Sequence, residues 1–214
     1  MPKQADVAFE PIVDLSSRAI IAREMLCRKR PFPESVQEWR EFYDKVFAKI
    51  HALDVPTAFN LDTRHILDTE IWPSVERFVD AHDAQDFIIE WTEHEEGNHA
   101  HAASRLRQLA KKTGIGISID DMGAGQDGLS RLAAVECVRW IKIDGPLLHR
   151  ARTESVAQHI IHGLCGIAGD IGAHVIAEWT ETAADIALAA ELGASHAQGF
   201  FFGENNGCHN PWAA

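Results

Sequence analysis

Polar side chains that could bind a metal or act in catalysis close one apolar run after another in this sequence. They are Glu24, Asn60, Glu90, Asp120, Asp121, Lys142, Glu178 and Gln198. Carboxylates brought together in one place repel each other unless cations lie among them. Oxygen ligands of this kind are those that hard divalent cations prefer. The pattern therefore predicts a site for divalent metal ions.

The segments that would position these residues alternate between strands and helices. Eight strands are predicted at residues 7–15, 19–27, 57–61, 86–93, 114–121, 139–144, 173–181 and 196–202. Apolar residues spaced three and four apart predict helices at residues 34–53, 64–81, 100–112, 126–135, 153–171 and 182–192. Such an alternation is typical of a parallel barrel whose carboxyl-terminal rim carries the chemistry.

The connection between the first two strands is the exception. Only Ser16, Ser17 and Arg18 separate them, too few residues for the crossover that parallel neighbours need. We therefore expect this pair to be antiparallel and the other strands to be parallel. The predicted fold is α/β, a modified TIM (β/α)8-like barrel with an antiparallel first strand. It is expected to form a single domain over residues 1–203, followed by a tail without periodicity at residues 204–214.

The composition argues against several functional classes. With 214 residues and 46% hydrophobic content, the chain can bury one sizeable core. A formal charge of -12 argues against DNA binding, which needs basic surface to neutralise phosphates. The sequence has neither a signal-peptide pattern in residues 1–10 nor a later apolar stretch of about 18 residues. We therefore expect a cytoplasmic protein without membrane contact. The four cysteines form no CxxC pair, which argues against a zinc knuckle.

Two features also have a simpler interpretation. Asp121 could cap the predicted helix at residues 126–135, with Asp120 a solvated loop residue. A group of histidines could suggest a zinc site, but a position in a predicted loop favours solvated side chains. These histidines are His94, His99 and His101.

Several short motifs, taken together, resemble those of EAL-domain cyclic di-GMP phosphodiesterases. Glu24-Met25-Leu26 is similar to the Glu-Ala-Leu signature, and Arg28 matches the ligand-contacting arginine that follows it. The other similar segments are Phe59-Asn60-Leu61, Asp86 to Glu93, Ile119 to Gly125, Ile141 to Asp144, Ala177 to Glu181 and Gln198-Gly199-Phe200. The motifs follow the family order, so the resemblance covers nearly the whole chain.

The resemblance implies a role for each of these residues. One cation would be held by Glu24, Asn60, Glu90 and Asp120, and a second by Asp120, Asp121 and Glu178. Lys142 would orient the attacking water or its phosphate target, Glu178 would accept a proton, and Glu181 would support the site. Ligand contacts would come from Leu26, Arg28, Gln198, Gly199 and Phe200.

The activity that the resemblance implies is hydrolysis of cyclic di-GMP to linear pGpG. Two bound Mg²⁺ or Mn²⁺ ions would activate a water molecule and clamp the phosphate oxygens. A homodimer and a regulatory protein partner are further expectations of the same kind.

Some positions differ from the family pattern. Met122 replaces a phenylalanine, Trp179 replaces a glycine between two site glutamates, and Glu10 replaces a glutamine. Gln126-Asp127-Gly128 replaces Tyr-Ser-Ser, and the segment 25–59 is short. These differences support a second hypothesis, a catalytically inactive EAL-like domain that senses cyclic di-GMP or docks on a protein partner. Trp179 would either crowd the phosphate, which we favour, or stack on a guanine.

Overall fold

The computed structural model describes residues 7–28, 33–50, 54–92, 98–123, 125, 128–135 and 137–203. Eight strands form a closed barrel in chain order. They are β1 (Val7–Asp14), β2 (Ile20–Cys27), β3 (Thr57–Leu61), β4 (Phe87–Trp91), β5 (Gly116–Met122), β6 (Val138–Ile143), β7 (His174–Ala177) and β8 (His196–Ala197). β1 pairs antiparallel with β2 and β8, and every other neighbouring pair is parallel. The predicted fold class is confirmed.

The hairpin between β1 and β2 is fixed by Asp14. Its Oδ1 accepts hydrogen bonds from the main-chain N–H of Ser16 at 3.1 Å and of Ser17 at 2.6 Å. An aspartate that binds the backbone of the residues after it closes a tight turn. β1 therefore returns directly along β2, and Glu10 pairs with Glu24.

Eight α-helices belong to the described part of the chain. They are α1 (Val36–Ile50), α2 (Thr63–Leu67), α3 (Ile71–Ala81), α4 (His99–Thr113), α5 (Gly128–Val135), α6 (Gly145–Ala151), α7 (Ser155–Ile171) and α8 (Ala183–Glu191). Short 3₁₀ turns cover Ala84–Asp86 and Phe200–Phe202. None of the helices among these residues has both the length and the apolar character that a membrane crossing requires.

One predicted helix is wrong in detail, and one observed helix was not predicted. The helix predicted at residues 64–81 is broken at Asp68, whose Oδ1 accepts hydrogen bonds from the N–H groups of Glu70 and Ile71. This turn, made by the Asp68 side chain, separates α2 from α3. The sequence analysis predicts no helix at α6, although Pro146 in its first turn is a typical helix start.

The last two strands are shorter than predicted. β7 ends at Ala177 rather than at residue 181, and Trp179 beyond it adopts a left-handed φ of 51°. β8 ends at Ala197 rather than at residue 202, because Gly199 has a φ of 147° and leads into a 3₁₀ turn. Both strand exits therefore turn sharply at the rim. The predicted tail at residues 204–214 lies outside the described residues.

The barrel interior is layered because successive side chains of a strand point to opposite faces. One layer takes a buried residue from each strand: Ile12, Ala22, Ala58, Ile88, Ser118, Trp140, Ile176 and His196. Two residues nearer the rim, each strand or its exit supplies a polar residue: Glu10, Glu24, Asn60, Glu90, Asp120, Lys142, Glu178 and Gln198. The mostly apolar layer forms the floor beneath this set, which we call the polar layer.

Candidate active site

Lys142 lies at the centre of the polar layer and is 1% exposed. Its Nζ lies 3.0 Å from Glu24 Oε2, 2.9 Å from Glu90 Oε2, 3.1 Å from Asp120 Oδ1 and 2.8 Å from Glu178 Oε1. Burial alone would lower the pKa of Lys142, but the carboxylates, Asp120 foremost, raise it well above its usual value. Lys142 is therefore a permanent cation that gathers carboxylates from four strands.

Glu24 is the most firmly ionised member of the layer. Burial acts to raise the pKa of Glu24, but Lys142 and two side-chain amides outweigh it and lower that pKa. Asn60 Nδ2 donates to Glu24 Oε1 at 2.7 Å, and Gln198 Nε2 donates to Glu24 Oε2 at 2.6 Å. Glu24 thus links Asn60, Gln198 and Lys142 into one network.

The remaining carboxyl groups of the layer resist ionisation. Burial raises the pKa of Glu90 and of Glu178 well above the usual value, and repulsion from Glu24 and Asp120 adds to this. Burial also raises the pKa of Asp120 to about 6. The layer holds more carboxyl groups than one ammonium can balance. Additional cations would lower the cost of ionising them.

Several buried oxygen atoms of the layer accept no hydrogen bond from any described residue. They are Asn60 Oδ1, Glu90 Oε1 and Gln198 Oε1. Asp120 Oδ1 lies 3.1 Å from the ammonium of Lys142, which partly satisfies it. A buried acceptor without a partner costs about 1–3 kcal/mol. Such unsatisfied oxygens are what a metal ion would use as ligands.

Asp120, Asp121 and Glu178 also meet the geometric requirement for a shared cation. Each offers an oxygen atom, and these atoms all lie within 4.8 Å of one another. Asp121 belongs to β5 and has a φ of 53°, a left-handed conformation that aspartate tolerates. Asp121 therefore does not cap α5, which begins at Gly128. The residues present fit divalent cations with oxygen ligands.

A cavity of about 440 Å³ opens above the polar layer. Its lining includes most of the predicted site residues: Glu24, Leu26, Arg28, Asp120, Asp121, Lys142, Glu178, Glu181, Gln198, Gly199 and Phe200. Asn60 instead lines a neighbouring cavity of about 410 Å³, which Leu26 and Arg28 also line. Glu90 is fully buried and joins the site through Lys142. The structure thus brings the predicted residues together, and their roles in binding and catalysis stay predictions.

Glu181 lines the cavity but lies at the edge of the cluster. Its Oε2 is 3.7 Å from Arg152 and 3.9 Å from His149, and its side chain is 46% exposed. Arg152 in turn binds the buried Asp185 at 2.8 Å. Glu181 therefore anchors the exit of β7 to α6 and the turn after it.

Gly199 contributes close packing rather than a side chain. A Cβ atom there would lie 2.4 Å from the main-chain nitrogen of Thr180, which no other residue could accommodate. Thr180 N donates to Gln198 O at 3.1 Å, and this bond joins the exits of β7 and β8. Phe200 follows on the rim and is 65% exposed.

Trp179 lies on the rim rather than inside the polar layer. Its side chain covers Gly145, where a Cβ atom would come within 2.2 Å of the Trp179 Cγ. Trp179 lines the cavity and is 56% exposed. A non-glycine residue in the left-handed region is strained, so this position has a backbone suited to glycine.

Two further residues shape the site: Glu10, which the sequence analysis names only as a departure from the family pattern, and Arg131, which it misses. Glu10 completes the polar layer and lines the cavity, and burial followed by repulsion from Glu24 raises its pKa. Arg131 is fully buried and donates to the main-chain carbonyls of Trp91 and Asp120. The available signals were the spacing of Glu10 from Ile12, and an arginine on the apolar face of α5.

The histidine group gives no support to a zinc site. His99 and His101 lie in the first turn of α4, not in a loop, and Asn98 caps that helix by accepting from His101 N. His94 lies outside the described residues. Across the described ranges, the metal-binding geometry is found at the barrel rim alone.

Comparisons with known proteins agree with this geometry. Residues 2–205 match the model of the EAL domain. The signaling protein YkoW of Bacillus subtilis is 28% identical over 171 residues, which cover 79% of this chain and 20% of YkoW. Cyclic di-GMP phosphodiesterase PdeR of Escherichia coli is 24% identical over 177 residues, 78% of this chain and 24% of PdeR. This chain therefore spans a quarter or less of each of these relatives.

The fold is also similar to that of a standalone EAL protein from Vibrio cholerae O395, solved with c-di-GMP bound. The TM-score is 0.74 at 21% sequence identity. The match covers 96% of this chain and 97% of the Vibrio cholerae chain. At this identity, the likeness concerns the fold.

Proposed function

This chain belongs to the EAL domain family, and we propose that it is a metal-dependent phosphodiesterase that hydrolyses cyclic di-GMP to linear pGpG. The observation that carries the proposal is the polar layer, in which Asn60 Oδ1, Glu90 Oε1 and Gln198 Oε1 are buried without a hydrogen-bond partner among the described residues. The name of PdeR and the ligand bound to the Vibrio cholerae protein support cyclic di-GMP as the substrate.

Two Mg²⁺ or Mn²⁺ ions are the cofactors that we assign to the rim. Glu24, Asn60, Glu90 and Asp120 would hold one, and Asp120, Asp121 and Glu178 the other. When bound, such ions lower the pKa of water and offset the charge that develops on phosphate oxygens. The unpartnered carboxamide oxygen of Asn60 is well suited to this role, because a neutral oxygen adds a ligand without adding repulsion.

The side chains around the ions would accept the proton, orient the reacting groups and bind the ligand. Glu178 has the raised pKa of a carboxyl group suited to accept a proton from the attacking water. Lys142 supplies a fixed positive charge that orients the water or the phosphate. Arg28 and Gln198 line the cavity and would contact the ligand, together with Leu26, Gly199 and Phe200. Glu181 would support the site through its contacts to Arg152.

A second candidate function is a catalytically inactive module that binds cyclic di-GMP or a protein partner. One observation favours it: the ammonium of Lys142 contacts four carboxylates and so offsets part of the negative charge of the rim without a metal ion. Trp179 on the rim, where the family has glycine, is consistent with the same role.

Incubation with cyclic di-GMP and Mg²⁺ or Mn²⁺, followed by chromatography of the nucleotides, tests the two candidates. We expect pGpG from the wild-type chain and from Glu191→Gln, a control at an exposed site on α8. Glu24→Gln should abolish the product while leaving the fold intact by circular dichroism, and excess chelator should do the same. Binding without turnover in the wild type would support the inactive module. Full activity in chelator would exclude the metal mechanism.

A further inference from the structure

Tyr43, the single tyrosine of the chain, binds the end of the strand that supplies Asn60. It lies on α1, the helix between β2 and β3, and is 2% exposed. Its hydroxyl donates a hydrogen bond to the main-chain carbonyl of Asn60 across 2.9 Å. Burial raises the pKa of Tyr43 well above its usual value, so the hydroxyl keeps the proton that it donates.

The geometry of β3 explains why the Asn60 carbonyl needs a side-chain donor. Consecutive carbonyl groups of a strand point to opposite neighbours. Thr92 N donates to Leu61 O, so the Leu61 carbonyl faces β4 and the Asn60 carbonyl faces β2. The pairing of β3 with β2 ends one residue earlier, at Phe59. The Tyr43 hydroxyl therefore takes the place of the N–H group that β2 no longer supplies.

Other side chains hold the Tyr43 ring in this position. His65 Nδ1 lies 3.1 Å from the Tyr43 hydroxyl, and since the hydroxyl proton goes to Asn60, Nδ1 is the donor in this contact. Asp62 accepts from the main-chain N–H of His65 at 3.0 Å and so fixes the start of α2, on which His65 lies. The Trp39 ring stacks on Tyr43 with ring centres 5.8 Å apart. These contacts favour one placement of the hydroxyl beside β3.

Asn60 connects this contact to the polar layer. Its Nδ2 donates to Glu24 Oε1 at 2.7 Å, and its Oδ1 has no hydrogen-bond partner among the described residues. The direction in which Oδ1 points depends on the main chain that Tyr43 binds. Removing a partner that orients a metal ligand typically lowers metal affinity by about 10- to 100-fold. The loss of one hydroxyl on α1 should therefore be measurable as a loss of metal affinity at the rim.

We propose that Tyr43 is a positioning residue for Asn60, which fixes the exit of β3 so that the Asn60 carboxamide presents its oxygen to a divalent cation. The inference rests on the metal site of the proposed function and adds a residue to it. Tyr43 acts through the main chain of Asn60 and does not itself bind the ion. The helix between β2 and β3 thereby has a role at the rim besides covering the barrel.

Calorimetric titration of the full chain with Mn²⁺ tests the proposal. Tyr43→Phe keeps the ring, removes the hydroxyl and should weaken Mn²⁺ binding by about 10-fold or more. Thr63→Val is the matched control, because it removes a buried hydroxyl that accepts from Trp91 Nε1 at 3.0 Å, a bond without a proposed metal ligand. It should bind Mn²⁺ like the wild type. Urea denaturation measures the stability that each variant loses, and equal losses of Mn²⁺ affinity in the two variants would contradict a specific role of Tyr43.

A double-mutant cycle separates positioning from a general loss of structure. Asn60→Ala should weaken Mn²⁺ binding, and Tyr43→Phe added to Asn60→Ala should weaken it no further, because the hydroxyl acts through the Asn60 side chain. Unchanged Mn²⁺ affinity in Tyr43→Phe, or the same loss with and without the Asn60 side chain, would overturn the positioning role. A wild-type chain that binds no Mn²⁺ would instead overturn the proposed metal site, and this inference with it.

Discussion

The guanidinium of Arg131 donates a hydrogen bond to the main-chain carbonyl of Asp120 across 2.9 Å. It also binds the main-chain carbonyl of Trp91 and lies 5.9 Å from the centre of the Trp91 ring. The Trp91 carbonyl lies at the end of β4, directly after Glu90. The other carbonyl is that of Asp120 itself, near the end of β5. One buried arginine thus fixes the spacing of two strands that supply candidate metal ligands.

Replacing Arg131 with methionine should both destabilise the fold and weaken metal binding. Each carbonyl left without its donor costs about 1–3 kcal/mol. Urea denaturation measures this loss, and calorimetric titration with Mn²⁺ measures affinity. Arg107→Met is the control, since Arg107 donates to a main-chain carbonyl of a helix, that of Ala134 near the end of α5. Wild-type Mn²⁺ affinity in Arg131→Met would show that Arg131 is structural only.

Lys142→Met should make stability depend strongly on divalent cations. Removing one partner from a buried ion pair costs about 3–5 kcal/mol, because the remaining charge is uncompensated. Added Mg²⁺ should recover part of this loss, so that its thermal shift exceeds that of the wild type. Lys112→Met removes an exposed pair with Asp80 and should change stability by less than about 1 kcal/mol. If Mg²⁺ raises the Tm of the wild type and of Lys142→Met by the same amount, the carboxylates around Lys142 do not need a cation in its place.

Two substitutions of Trp179 separate the indole from the backbone strain. Trp179→Gly removes both, whereas Trp179→Ala removes the ring and keeps a side chain at a φ of 51°. Trp179→Gly should therefore be more stable than Trp179→Ala by about 1 kcal/mol. Thermal denaturation of the two variants tests this difference.

Their kinetics distinguish the two roles of the ring. Crowding, which we favour, predicts a higher kcat/KM for cyclic di-GMP in both variants. Stacking predicts a loss of about 1–3 kcal/mol of ligand binding, measured by titration in Ca²⁺. If rate and affinity both stay at the wild-type level, the Trp179 side chain has neither role.

His196 should make the protein less stable below about pH 6.5. Burial, followed by repulsion from His174, lowers the pKa of His196 to about 4, while Asp14 at 3.6 Å acts in the opposite direction. The ring also lies next to Ser195 Oγ at 2.8 Å and near Trp140. Between about pH 4 and 6.5 the unfolded chain binds the proton and the folded chain does not. The free energy of unfolding therefore rises with pH across this window.

Urea denaturation at several pH values measures the slope, and His196→Gln should reduce it. The stabilisation present above pH 6.5 should be lost by about pH 4, by an amount of about 2–3 kcal/mol. An identical slope in wild type and His196→Gln would show that another group is responsible.

The sequence by itself determined the topology and most of the rim. The connection between β1 and β2 is too short for a crossover, so these two strands had to be antiparallel. The later strands are each followed by a helix, so they could pair in parallel. Polar residues at strand exits identified the rim, because parallel strands end on the same side of a barrel. These features are local, so a pattern of neighbouring residues reveals them.

Only the tertiary structure decided how these residues interact. Lys142 binds Glu24 across 118 positions of sequence, and no local pattern assigns an ammonium to carboxylates on four strands. The same holds for Arg131, whose partners are main-chain carbonyls brought near by strand pairing. Glu10 belongs to the polar layer because β1 runs in the opposite direction to the other strands. The rim therefore lies toward the start of β1, and the rim residue precedes Ile12 in the sequence. The early ends of β7 and β8 depend on the contact of Gly199 with Thr180, a fit between two distant segments that exists only once the barrel is closed.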